Sequence, residues 1–191
     1  MFTLLTGIIS LLSVVHAWEP DYILRVSEET IYTDCSPRNS VVVNGMFPLR
    51  AWLTVGTSPG PLLRFTEGEH YWVRVYNDLP HENTTIHWHG FTQFLSPFSD
   101  GTPQVSGWPI PPGHFYDYEF QLQMGHYGTY WYVLHRGIQA DDRYHSHVGF
   151  QLSTSQGPII VDQKDWVSPV EYDEDLVVMV QEYWHVSPSQ L

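Results

Sequence analysis

Turn-forming clusters punctuate this chain at short intervals: TSPGP at residues 57–61, SDGTP at 99–103 and PIPPG at 109–113. Proline fixes φ and lacks an amide donor, and glycine opens left-handed backbone, so neither a helix nor a central strand runs through such clusters. The segments around them are rich in β-branched and aromatic residues, and several alternate with period two. They are VVVNG (41–45), HYWVRVYNDL (70–79), TTIHWHGF (84–91), HFYDYEFQL (114–122), HVGFQLS (147–153), GPIIVD (157–162) and DLVVMVQEYW (175–184). No segment carries the apolar stripe of a helix. Short strands separated by tight turns predict an all-β, antiparallel sandwich or barrel. With 191 residues, 42% hydrophobic and 15% aromatic, the chain is long enough for one cored domain and short for two.

Eight Lys and Arg against 21 Asp and Glu give a formal charge of −13. Such a field repels phosphate backbones and anionic membrane surfaces, which excludes nucleic acid as a partner. The opening MFTLLTGIISLLSVVHA reads as a secretory signal over residues 1–17, cleaved after Ala17; its apolar run is short for a membrane anchor. No later segment is long and apolar enough to span a bilayer, so the mature protein is expected to be secreted, extracellular or in the cell wall. Asn83-Thr84-Thr85 is an N-glycosylation sequon, which marks Asn83 as a candidate carrier of glycan. The single cysteine, Cys35, has no partner for an internal disulfide. From Trp166 a Pro- and acid-rich stretch, DWVSPVEYDED, leads into one more predicted strand. The expected organisation is a signal at 1–17, one β-domain at 18–165, and a linker with the first strand of a truncated second domain at 166–191.

The chemistry lies in histidines. On a strand, residues i and i+2 share a face, so His87 and His89 in TIHWHG present two imidazoles side by side while Trp88 turns the other way. His145 and His147 in HSHVGF repeat the arrangement. Two such strands lying close together would converge four neutral imidazoles, a donor set suited to copper, zinc, iron or nickel, with Cu(II) held tightest among the divalent ions. One His-x-His is weak evidence, since exposed strand histidines are common; two in one small all-β domain point to a metal site. His70, His81, His114, His126, His135 and His185 show no ligand spacing and read as surface or loop residues.

With these motifs in view, TTIHWHGFTQ, SPFSDGTPQVSGWPIPPGHFYDYEF, GTYW, YHSHVGFQ and QGPIIVD together resemble the first cupredoxin domain of multicopper oxidases. The resemblance is to the fungal laccase and ascorbate-oxidase-like branch, its pigment-forming members included, and it runs from about Tyr22 to Tyr183. It implies a cupredoxin-like Greek-key β-barrel or sandwich. It also implies that His87 serves a type 2 copper, and that His89, His145 and His147 serve the type 3 pair. In the family, the completed cluster reduces O2 to water with electrons taken at a type 1 copper from small phenolic substrates, or from metals in some members. The type 1 site and the remaining cluster histidines belong to a C-terminal domain with a His-Cys-His element, which does not occur in this sequence. The copper site expected here is therefore incomplete, and the chain by itself inactive.

The chain departs from the family pattern in three places. Residues 132–143 separate GTYW from YHSH, and removing them restores GTYWYHSHVGFQ. Residues 46–56 likewise separate VVVNG from TSPGP. Codon choice permits an intron-like start, GTATGT, at both Gly45-Met46-Phe47 and Trp131-Tyr132-Val133, so retained introns and genuine surface loops are both open. Under either origin the two segments are expected to protrude from an intact sandwich. Lastly, Gly107-Trp108 precedes Pro109 where many laccases have a cysteine tied to the C-terminus, which argues against that disulfide. Two functions fit: the amino-terminal domain of a secreted laccase-like oxidase, or a small secreted copper-binding or structural β-domain without turnover.

Overall fold

The computed structural model describes residues 18–32, 35, 37–46, 58–136 and 155–180. Eight strands appear in chain order: β1 (Tyr22–Ile31), β2 (Arg38–Met46), β3 (Leu63–Thr66), β4 (His70–Asn77), β5 (Thr84–His89), β6 (Phe115–Gln121), β7 (Gly128–Arg136) and β8 (Gln156–Asp162). One short 3-10 turn, Pro97–Asp100, is the only helical element among the described residues. The all-β expectation is met.

The strands form two four-stranded sheets, ordered β2-β1-β4-β6 and β3-β8-β7-β5. Most neighbours are antiparallel; β1 with β4 and β3 with β8 are parallel, so the chain crosses from sheet to sheet between them. Period-two alternation explains how the sheets meet. Val73 and Val75 of β4, Ile86 and Trp88 of β5, Tyr118 and Phe120 of β6, and Ile159 and Val161 of β8 are all buried in one core. Trp88 lies at its centre, with ring centroids of Tyr118 at 5.3 Å and Phe120 at 4.7 Å. Each aromatic ring contributes far more buried area than an aliphatic side chain, and edge-to-face pairing adds to it.

Two buried polar side chains brace the sandwich. Tyr118 Oη lies 2.8 Å from Thr85 Oγ1 and accepts from the Ile86 amide at 3.0 Å, stitching one sheet to the other. Burial pushes its pKa up to about 12. The fully buried Glu67 accepts from the amides of Gly125 at 2.5 Å and Lys164 at 3.1 Å, closing one end of the sandwich.

Two expectations need correcting, the protrusion at 132–143 and the list of strands. Tyr132 to Arg136, the start of the supposed 132–143 protrusion, belong to β7, which sits between β8 and β5 inside its sheet. Tyr132 and Leu134 are fully buried. The Tyr132 phenol donates to the Pro61 carbonyl at 3.0 Å and lies against Gly60 and Gly157, where a Cβ at either position would collide with it. The pattern Tyr-Val-Leu-His is itself a good strand, and the two glycines make a seat for the ring. Residues 175–180, part of the strand expected to belong to a further domain, lie in no sheet here, and Leu176, Val178 and Val180 are exposed. Strands β1 and β3 were not expected: β1 has its alternation masked by the polar run Ser27-Glu28-Glu29-Thr30, and β3 is only 4 residues long. The predicted signal, the strand at 147–153, and residues 47–56 and 137–143 of the two insertions lie outside the described residues. No helix among the described residues is long and apolar enough to cross a membrane.

Candidate metal centre

β5 delivers His87 and His89 as its alternation requires. Ile86 and Trp88 point into the core, so the two imidazoles stand on the outer face of the second sheet, with ring centroids 5.9 Å apart. His87 is partly buried and His89 exposed.

A turn fixes the ring of His87 and the nitrogen that carries its proton. Its Nδ1 lies 2.8 Å from the Asp100 main-chain oxygen. A carbonyl only accepts, so Nδ1 carries the proton and donates it, leaving the Nε2 lone pair for a ligand; this is how metal-binding histidines are commonly oriented. The turn can approach so closely because residue 101 is glycine, with φ of 77° and no room for a Cβ against the Ile86 backbone. Thr85 Oγ1 donates to the Gly101 carbonyl at 2.9 Å, and the Asp100 carboxylate accepts from Thr102 Oγ1 at 2.5 Å. The Asp100 carboxylate is also 3.4 Å from His87 Nδ1, adding negative potential at the site. The SDGTP cluster, read from sequence as a turn, is thus also the brace behind the first histidine.

Strand β7 supplies the facing side chains. His89 is opposite Trp131, His87 opposite Val133 and Thr85 opposite His135, so all six share one face. The His89 ring stacks on Trp131 at 3.9 Å with an interplanar angle of 14°. His135 brings its ring within 5.8 Å of His87. Three imidazoles therefore stand in a row, His135, His87 and His89, with His87 in the middle. Among the described residues no three His, Cys, Asp or Glu side chains are grouped to hold a single ion, so the row is two pairs sharing His87.

His145 and His147, the expected partners, lie outside the described residues. His135, which sequence reasoning set aside as a surface or loop residue, is instead a neighbour of the first histidine. A signal for it existed: Tyr132-x-x-His135 has the same spacing as Tyr144-x-x-His147. Of the other histidines, His70 pairs with Glu119 at 2.8 Å and His114 lies 2.9 Å from the Pro112 carbonyl, as expected of surface residues. Asn83 is partly buried immediately before β5, and Cys35 is an exposed free cysteine. Imidazoles aligned on one face, one with its Nε2 left for a ligand by the carbonyl at Nδ1, fit copper in chemistry.

The chain is similar to known proteins. The chain is 41% identical over 172 residues to laccase-like multicopper oxidase 1 of Thermothelomyces thermophilus, covering 90% of this chain and 23% of that protein. It is 35% identical over 181 residues to copper resistance protein A of Pseudomonas syringae pv. tomato, covering 94% of this chain and 25% of that one. The crystal structure of laccase from Botrytis aclada superposes with a TM-score of 0.57 at 33% identity, covering 73% of this chain and 22% of the laccase. The fold is accordingly the cupredoxin-like sandwich of those enzymes, and the chain spans about a quarter of the length of its curated relatives. The sequence profile described as multicopper oxidase matches residues 25–165, and this chain belongs to the multicopper oxidase family.

Proposed function

We propose that this chain is the copper-binding N-terminal domain of a secreted, laccase-like multicopper oxidase that oxidises small phenolic substrates and reduces O2 to water. The observation that carries the reading is the pair His87 and His89 on the outer face of the second sheet, with His87 Nε2 freed by the Asp100 carbonyl. Copper, when bound, supplies the one-electron steps by which O2 is reduced. The chain's own contribution is to hold the imidazoles at fixed spacing, with the His87 proton kept on Nδ1 so that Nε2 faces a ligand. His87 is assigned to the type 2 position and His89 to the type 3 pair, with His145 and His147 as further type 3 ligands. The remaining ligands and the electron-entry site belong to downstream domains, which the fractional coverage of the relatives supports. Residues 18–165 form the domain, residues 1–17 the secretory signal, residues 166–191 the link to the next domain, and Asn83 carries glycan.

A second reading, a small secreted copper-binding or structural β-domain without turnover, is favoured by the occupancy of the strand beside β5. Val133 stands opposite His87, so Tyr132 to Arg136 give that face one imidazole in place of a His-x-His pair.

The two readings part in one experiment. The chain alone, and the chain joined to the downstream domains of its parent gene with residues 46–56 and 132–143 removed, are produced in copper-supplemented medium. Oxygen uptake is followed with a simple diphenol. The short chain is expected to show neither turnover nor intense blue absorption, because no Cys thiolate with two His is available to it. The extended protein is expected to show both. Turnover by the short chain overturns the fragment assignment, and an inert, copper-loaded extended protein overturns the oxidase assignment.

A further inference from the structure

We infer that His135 is a metal ligand of this chain, and that with His87 it holds one divalent transition-metal ion, Cu(II) by preference, on the outer face of the second sheet. The inference rests on the reading of β5 as a copper-binding strand and adds a ligand that the His-x-His motifs do not contain.

Register makes the pair neighbours. His135 lies opposite Thr85 and His87 opposite Val133, so the two histidines are diagonal cross-strand neighbours on one face, within reach for long or aromatic side chains. The ring separation fits a shared ion. With a metal–nitrogen bond of about 2.0–2.1 Å and about 1.2 Å from nitrogen to ring centre, two imidazoles on one ion have centres at most about 6.5 Å apart. His87 and His135 stand at 5.8 Å. That separation lies within the reach of one shared ion.

Charge and chemistry agree. His87 is held with Nδ1 protonated, so Nε2 is the coordinating atom, and the Asp100 carboxylate lies 3.4 Å behind it. The net charge of −13 raises the local concentration of cations. His89 is engaged by its stack on Trp131, which favours His135 over His89 as the second ligand beside His87. Imidazole donors, with water in the remaining positions, select Cu(II) at the head of the divalent series.

Val133 supplies a test by gain as well as by loss. It stands on the same face opposite His87, so Val133→His makes Tyr-His-Leu-His of β7 without touching residues 137–154. Cu(II) alone is titrated into the chain, with affinity read by calorimetry and the number of coordinated nitrogens by electron paramagnetic resonance. His135→Ala is expected to weaken binding at least tenfold and to lower the nitrogen count by one. Val133→His is expected to tighten binding at least tenfold and to raise the count by one, a gain that misfolding does not produce. His70→Ala, whose ring is engaged with Glu119, is expected to change neither. Copper lost in His87→Ala but retained at full affinity and nitrogen count in His135→Ala overturns the inference alone. Copper binding indifferent to His87→Ala overturns the copper reading of β5 and this inference with it.

Discussion

The outer faces of the two sheets are built on opposite plans. On the first sheet, charges close on their neighbours. Arg74 lays two guanidinium nitrogens, Nε and Nη2, on Asp117 at 2.7 and 2.8 Å, with the Phe115 ring 4.3 Å from its centre and Trp18 at 5.3 Å. Arg25 repeats the arrangement on Asp78 at 2.6 and 2.7 Å, above Tyr76 at 4.6 Å. On the second sheet, Arg64 of β3 pairs with Asp162 of β8, but across β5 and β7 like groups stand beside like groups: His135, His87 and His89 form a row with Trp131 and Val133 between and beside them. A ladder of cations and carboxylates is satisfied by itself. A row of imidazoles repels itself when protonated and gains most when neutral around a cation. The first face is closed by its own ion pairs, and the second carries the imidazoles for which copper binding is proposed.

The sharpest way to break this comparison is to unseat β7. Gly157→Val drives side-chain atoms into the Tyr132 phenol, and is expected to cost about 3 kcal/mol, as overpacking of a filled core does. The urea midpoint reads it. An unchanged midpoint would mean that Tyr132 is not the ring in this seat, and the second face would have to be redrawn.

An alkaline titration weighs the sheets against each other through one buried tyrosine each. Burial raises the pKa of Tyr118 on the first sheet to about 12 and that of Tyr132 on the second well above the usual tyrosine value. Both phenols therefore stay protonated in the folded state at pH values where the unfolded chain has released them. Their contribution is intact below an unfolded pKa of about 10 and falls as pH rises past it, by about 1.4 kcal/mol per unit for each group. For Tyr118 the window closes near its folded value of about 12. Tyr118→Phe and Tyr132→Phe should each flatten the fall in unfolding midpoint between pH 9 and 11; if Tyr132→Phe leaves the slope untouched, the second sheet does not bury that phenol.

The smallest effect belongs to the self-satisfied face. The Arg74–Asp117 pair is partly exposed, so Asp117→Asn should cost about 0.5–1 kcal/mol, less in high salt, without altering Cu(II) affinity. A change in copper binding equal to that of His135→Ala would erase the distinction between the faces.

How much of this was legible in the sequence differs strand by strand. His87 and His89 were readable because a period of two decides the face once Trp88 is assigned to the core. The turn clusters were readable from proline and glycine chemistry, although the brace that Asp100 and Gly101 give His87 is a tertiary contact with no local signature. β7 was misread because two segments, Tyr132 to His135 and Tyr144 to His147, share the Tyr-x-x-His spacing, and alternation cannot say which one pairs. What seats Tyr132 is Gly60 and Gly157, which are distant from it in sequence and meet it only when the sheet closes.

Because β7 runs without interruption from Gly128 to Arg136, the order of synthesis bears on which segment β5 meets first. A ribosome adding roughly 5–20 residues per second delivers Tyr132 about one second before Tyr144. Hairpin pairing takes about 1–10 μs. When Tyr132 to His135 leave the exit tunnel, β5 is already outside and available, and pairing has many thousandfold more time than it needs. Translation thus acts as a clock that favours the earlier segment, and a later occupant has to displace a strand already in place.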